Sequence, residues 1–302
     1  MRHDLTDAWR CGFESVTPSA ISQRLKFLEE AVGAVLIVRA SPCVPTMHGE
    51  AVYRHALQVE LLERELVAEM GGGEEANDRI SLAIAVDADS LATWFVPALR
   101  SLSARTGVRV DLLVDDQDHT LTWLRSGRVL GAVTSESKPV RGCRVQRLGT
   151  MRYLATASPK FVRRHFADGV AAASLQAAPA IAYNRKDDMA AKFVERTYRV
   201  KRASVSSHDL PSPHAYLDAC MLGLGWGLNP SGLAATPMKR RRLVDLCPGR
   251  SHAVPLYWQQ WAISSRTMDA VGGCSGRART GDARRRMMPW HAAAPPGFAR
   301  IG

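Results

Sequence analysis

Residues 17–30 read TPSAISQRLKFLEE, a segment with helix punctuation at its start. Thr17 can cap the helix, and Pro18 suits its first position, where the missing N–H costs nothing. Ile21, Leu25 and Leu28 recur at helical spacing and form one apolar stripe. The opposite face carries Ser19, Ser22, Gln23 and Lys26, hydrogen-bonding side chains near the N-terminal end. A helix laid in a DNA major groove meets base edges and phosphates with that end. Taken alone, the same face also fits a solvated surface helix.

The residues after this helix narrow the choice. LIVRASPCVPT (36–46) is a β-branched run, then Arg39, then two prolines, and it predicts a short hairpin or wing. Arg39 is placed there as a phosphate contact, which positions a duplex without reading its sequence. A long helix is expected from near Thr46 to about Met70, with Val52, Ala56, Val59, Leu62 and Leu66 three and four apart. One apolar seam on an otherwise charged helix predicts helix pairing between subunits. Gly71-Gly72-Gly73 then reads as a linker.

From Ile80 the chain alternates strand and helix. Strands are expected at 80–86, 108–114, 131–135, 152–157, 180–184, 203–207 and 254–261. Helices are expected from Ser90 to about Ala104, kinked at Pro97, and over 118–126, 187–198 and 211–222. Such alternation predicts α/β layers with parallel strands, and ligands gather at the carboxyl ends of those strands. GLGWGLNP (223–230) suits either close backbone approach to a ligand or a tight buried strand. Beyond Val271 the Gly/Ala/Arg/Pro-rich text loses apolar periodicity and predicts disorder. Four segments result: 1–46, a partial winged helix-turn-helix; 47–73, a linker and dimerisation helix; 79–271, an α/β ligand domain; and 272–302, an Arg/Pro-rich tail.

Composition adds less than it promises. The net charge is +11, but residues 1–70 hold seven Lys/Arg against ten Asp/Glu, so basicity does not mark the presumed DNA-binding end. Six scattered cysteines with no C-x-x-C pair read as reduced thiols rather than a disulfide framework or zinc site. No membrane span or secretory leader is legible, so the expectation is cytoplasmic. No GxSxG, HExxH or phosphate-binding glycine loop is present, and no catalytic residue, cofactor or metal is expected.

TPSAISQRLKFLEEAVGAVLIVRA, with the subsequent PT and GE, resembles the LysR-type transcriptional regulators, whose recognition helix, wing and linker helix come in this order. VDADSLATWFVPAL (86–99), GAVTSE (131–136), AYNRKDDM (182–189) and PLYW (255–258) resemble the ArgP/LysG branch, regulators of arginine and lysine export. The resemblance covers roughly residues 13–271. It implies a two-lobed, periplasmic-binding-protein-like (type 2) effector domain and a homodimer or homotetramer. It also implies operator DNA and RNA polymerase as partners, with L-lysine or L-arginine as effector. Two departures from the family pattern stand out. Only about 16 residues precede Thr17, where members carry supporting helices, and an Arg/Pro-rich run replaces the closing helix. Both ends read as a wrong frame or a mis-set start. A dimeric binding module that no longer grips DNA is therefore the competing reading, and a solute-binding protein a third.

Under the resemblance, Ser90 and Thr93, at a helix start after a strand, suit an α-carboxylate; Ser90 could equally be a plain N-cap. Trp94 is a pocket-wall or core residue, and Thr134 falls within the family-like GAVTSE. A cationic side chain needs an acidic partner, for which Asp87, Asp89, Asp115, Asp116, Asp187 and Asp188 are available. Asp115 and the Asp187-Asp188 pair are preferred, the pair because it comes after a strand and starts a helix. Arg185 and Lys186 alongside could instead neutralise it.

Overall fold

The computed structural model describes residues 17–70, 81–106, 108–115 and 120–277. The Gly71–Gly73 linker, Asp116 and the tail past Arg277 lie outside the described residues. Helix α1 (Pro18–Val32) opens as its sequence demands, with Thr17 accepting the Ala20 N–H at 3.4 Å. It ends on Gly33, whose φ of 71° is a left-handed conformation that side chains resist. Strands β1 (Ile37–Val38) and β2 (Val44–Pro45) pair antiparallel as the expected hairpin, with Arg39 exposed beyond β1. Helix α2 (Met47–Glu69) comes next.

The larger unit begins with β3 (Ser81–Asp87), which lies between β4 (Arg109–Asp115) and β5 (Gly131–Thr134) and runs parallel to both. Leu82, Ile84 and Val86 are fully buried, each worth about 1.5–3 kcal/mol. A short α3 (Ala88–Ser90), a π-turn (Leu91–Phe95) and α4 (Val96–Thr106) form one continuous helical run. Pro97 thus falls next to a π-turn. Such a turn moves each carbonyl's donor one residue onward, which suits a position lacking an N–H. Helix α5 (Thr120–Arg125) precedes β5.

Strand β6 (Cys143–Ala157) is far longer than the expected 152–157. Its first half is mostly exposed and polar, so no apolar pattern announced it. Helices α6 (Pro159–His165) and α7 (Ala172–Ala177), strand β7 (Ala180–Ala182) and helix α8 (Met189–Tyr198) come after it. The strand expected at 203–207 instead forms at β8 (Ser207–Asp209). The Ala203 and Ser204 N–H groups are taken by the side chains of Glu195 and Gln176, so they join no ladder. Helix α9 (Pro213–Leu222), strand β9 (Gly227–Pro230), helix α10 (Ser231–Lys239), strand β10 (Val244–Asp245), strand β11 (His252–Trp261) and helix α11 (Arg266–Arg277) complete the order. Helical structure therefore continues past the boundary drawn at 271.

Among the described strands, the expectation of parallel pairing holds for β3–β5 and for the small β7–β8 pair. Strand β11 is antiparallel to both β5 and β6, and β9 and β10 are antiparallel to β6. The register of β11 shifts between Leu256 and Tyr257. Its second half joins β5 in one lobe, and its first half pairs with Gly149–Tyr153 of β6, next to the Tyr153–Ala157 stretch that carries β9 and β10 in the other. The long strands β6 and β11 are thus the crossing segments of a curled, two-lobed α/β domain.

Helix α2 packs on this domain. Leu61 is buried in its core, with Leu57 against it, and the Arg54 guanidinium covers the Trp261 ring at 4.5 Å. Glu65 accepts from Ser265 Oγ at 2.6 Å and the Thr267 N–H at 2.9 Å, and Glu69 pairs with Arg266. Leu62 and Leu66, part of the seam expected to pair helices, are exposed.

Candidate functional site

Between the lobes lies a cleft of about 360 Å³, at the low end of small-molecule sites and of a size for a free amino acid. The first lobe contributes Asp87, Ala88, Asp89 and Ser135, at the carboxyl ends of β3 and β5. The second contributes Asp187, Asp188, Lys192 and Arg196 around the start of α8, with Leu228 and Asn229 of β9. Tyr153 and His252–Pro255 come from the crossing strands.

Asp87 rather than Ser90 caps the helix after β3. Its Oδ1 accepts the Ser90 N–H at 2.8 Å. Three residues in DADS qualify as caps, and the first in the chain takes the position because β3 runs one residue further than expected. The protein's own carboxylate therefore occupies the helix start where a ligand's carboxylate was expected. Ser90 is buried, and its Oγ accepts the Trp94 indole N–H at 3.2 Å. Thr93 donates to the Asp89 carbonyl at 2.7 Å. Thr134 is buried and accepts the Glu136 N–H at 3.1 Å. Asp115 lies beside Asp87 in strand register. Ser90, Thr93, Trp94 and Thr134 are not on the cleft wall; Asp187 and Asp188 are.

The acids differ in how they are held. Asp187 accepts the Tyr183 N–H at 2.8 Å and the Met189 N–H at 3.0 Å, shaping the turn into α8. Asp188 pairs with Lys192 at 2.8 Å, and Asp89 accepts the Tyr153 hydroxyl at 2.8 Å. Asp87 is 2% exposed; burial pushes its carboxyl up, against hydrogen bonds from Ser90 and nearby backbone N–H groups. Its Oδ2 has no partner, and neither has Oδ1 of the fully buried Asn229. Burial, then the Arg196 and Lys192 charges, lowers the His252 imidazole, favouring its neutral form.

Beneath the cleft, Gly227 passes against Tyr216: a Cβ there would lie 2.5 Å from the ring. The buried Tyr216 hydroxyl accepts the Leu228 N–H at 2.9 Å, and burial raises its pKa well above the phenol range. Of the two readings of GLGWGLNP, the tight buried strand is the one β9 forms: Gly225 and Gly227 pack against Ile181 and Tyr216, while Leu228, Asn229 and Pro230 line the cleft. Tyr153, Asn229 and His252 escaped the sequence reading. Asn229, a lone polar residue in an apolar run, was the available signal.

On α1, Ser22 donates to the Pro18 carbonyl at 3.0 Å, and Ser19 Oγ lies 3.0 Å from Thr17 Oγ1. Lys26 pairs with Glu30 at 3.8 Å, and Gln23 is exposed. No residue of α1 is buried; Ile21, Phe27 and Leu28 are 36%, 70% and 42% exposed. Among the described residues no group of acids, histidines and cysteines is arranged to hold a metal, and no helix is long and apolar enough to cross a membrane.

A curled two-lobed domain with its cleft at strand ends, preceded by a long helix and a small hairpin, defines a class. Residues 75–270 match the LysR substrate binding domain, and the chain belongs to the LysR family of transcriptional regulators. It is 43% identical over 275 residues to the HTH-type transcriptional regulator LysG of Mycobacterium tuberculosis (strain ATCC 25618 / H37Rv), covering 90% of this chain and 89% of that one. The crystal structure of ArgP from Mycobacterium tuberculosis superposes with a TM-score of 0.78 at 42% identity, over 88% of this chain and 90% of that one. Full-length LysG from Corynebacterium glutamicum with bound effector Arg gives 0.69 at 37% identity, over 86% and 89%.

Proposed function

We propose that this regulator takes L-lysine or L-arginine in the interlobe cleft and controls an amino-acid exporter gene as a homodimer or homotetramer in the cytoplasm. One observation carries the effector reading: carboxylates from both lobes line a cleft of amino-acid size, in a chain 37% identical to an arginine-bound LysG. Ligand held by both lobes shifts their equilibrium toward closure, and with it the spacing of paired DNA heads. Contact with DNA is assigned to Thr17, Ser19, Ser22, Gln23 and Lys26 around the start of α1, and to Arg39 in the hairpin. Asp187 and Asp188 are assigned to the cleft's acidic wall with Asp87.

A mobility shift with DNA from upstream of the chain's own gene, with and without lysine or arginine, tests this. Retardation that changes with either amino acid is expected; no retardation under any condition refutes DNA regulation. The exposure of Ile21, Phe27 and Leu28 favours a second reading, a binding module without a DNA grip. In that case arginine raises the melting temperature while no DNA is retarded.

A further inference from the structure

Three buried side-chain atoms among the described residues have no hydrogen-bond partner: Asp87 Oδ2, Asn229 Oδ1 and Trp261 Nε1. The indole of Trp261 lies under the Arg54 guanidinium, away from the cleft wall. The other two are both acceptors, and both belong to cleft-wall residues. A buried acceptor left unpaired costs free energy, so two of them at one cavity mark a place built for a donor that arrives with a ligand.

Their surroundings say what kind of donor. Asp87 Oδ1 is fixed by the Ser90 N–H, and Asn229 Nδ2 by Thr156 Oγ1 at 2.9 Å and Cys220 Sγ at 3.4 Å. Each side chain therefore has one end anchored in its lobe and an oxygen left over. The other cleft acids are engaged: Asp187 by backbone N–H groups, Asp188 by Lys192, and Asp89 by Tyr153. A carboxylate oxygen and an amide oxygen together fit a cation with at least two N–H bonds, an ammonium or a guanidinium.

We infer that Asp87 and Asn229 form the receptor for the effector's cationic group, one oxygen from each lobe, so that the cation ties the lobes together. This rests on the proposed basic-amino-acid reading. It reverses the polarity expected for the helix after β3: that end receives the ligand's positive group, not its carboxylate. The cation is either the α-ammonium or the side-chain head, and acetylated lysines separate the two.

The test is calorimetric titration of the full chain with L-arginine and L-lysine, alongside thermal melts without ligand. Asp87→Asn keeps an oxygen for the Ser90 N–H and replaces the unpaired one with an amide N–H. Hydrogen bonds to charged groups set the expected loss at about tenfold to hundredfold in affinity. The ligand-free variant should melt at or above the wild type, because an unpaired buried carboxylate has gone. Wild-type affinity in Asp87→Asn overturns the inference. A variant that melts well below the wild type, or fails to fold, also overturns it, since the role is then structural. With wild-type protein, loss of binding by Nε-acetyl-lysine assigns the side-chain ammonium, and loss by Nα-acetyl-lysine the α-ammonium. Undiminished binding of both overturns the inference. If the wild type binds neither arginine nor lysine, the effector reading itself fails, a result distinct from all of these.

Discussion

Replacing Glu65 by alanine should loosen the long helix α2 from the effector domain. Glu65 reaches across some 200 positions of sequence to accept Ser265 Oγ at 2.6 Å and the Thr267 N–H at 2.9 Å. The second bond caps an otherwise open N–H at the start of α11. A hydrogen bond to a charged group contributes about 1.5–3 kcal/mol when dry; Glu65 is only partly buried, and solvent screening leaves about 1 kcal/mol for each. The pair is then worth about 2 kcal/mol, or roughly 4–8 °C of melting temperature for a domain of this size. Burial alone would push the Glu65 carboxyl up, but bonds from Ser265, Thr267 and the Arg266 backbone outweigh it and hold it below the usual range. Its contribution is therefore fully present above the ordinary carboxylate range and is lost as pH falls through the depressed value. Urea titration of wild type, Glu65→Ala and Glu65→Gln at neutral pH reads the effect, with the glutamine variant losing about half. An alanine variant with the wild-type midpoint and slope would refute the reasoning, and with it the idea that α2 is latched to the domain through this carboxylate.

Three further outcomes are expected. Burial raises the Asp87 carboxyl in the folded protein, so the penalty for its charged form is present above that raised value and vanishes on acidification. The stability advantage of ligand-free Asp87→Asn should accordingly be largest above the raised carboxyl value and shrink as the pH falls through it and the wild type is protonated; a gap that widens on acidification contradicts this. Gly227→Ala places a methyl 2.5 Å from the Tyr216 ring and should cost about 1–3 kcal/mol in urea denaturation, whereas an unchanged midpoint would show that β9 has room to give. Lys26→Ala and Arg39→Ala should each weaken DNA binding and flatten its salt dependence by about 0.9 in the log–log slope, and an unaltered slope removes the residue from the phosphate contacts.

Much of the fold was legible because local chemistry and tertiary structure agree. Thr17 and Pro18 start α1 and Gly33 ends it; β3 (Ser81–Asp87) formed within the run expected at 80–86 and one residue beyond it; α8 and α9 formed within two residues of their expected starts. Failures occurred where side chains from elsewhere took over the backbone or covered a polar strand. Glu195 and Gln176 capture the N–H groups of Ala203 and Ser204, and the exposed half of β6 is held by β11 rather than by burial. The site was harder. Asp187 and Asp188 could be named because a strand end and a helix start adjoin in sequence. Tyr153, Asn229 and His252 come from three separate strands and meet only once β6 and β11 cross between lobes. DADS offered several possible caps, and only the end of β3 decided among them.

A crystal structure of the full chain grown with L-arginine tests the central claim most directly. One arginine is expected between the lobes, with a cationic N–H group within hydrogen-bond distance of both Asp87 Oδ2 and Asn229 Oδ1. An occupied cleft in which those two oxygens remain unpaired, or arginine bound outside the cleft, would contradict it.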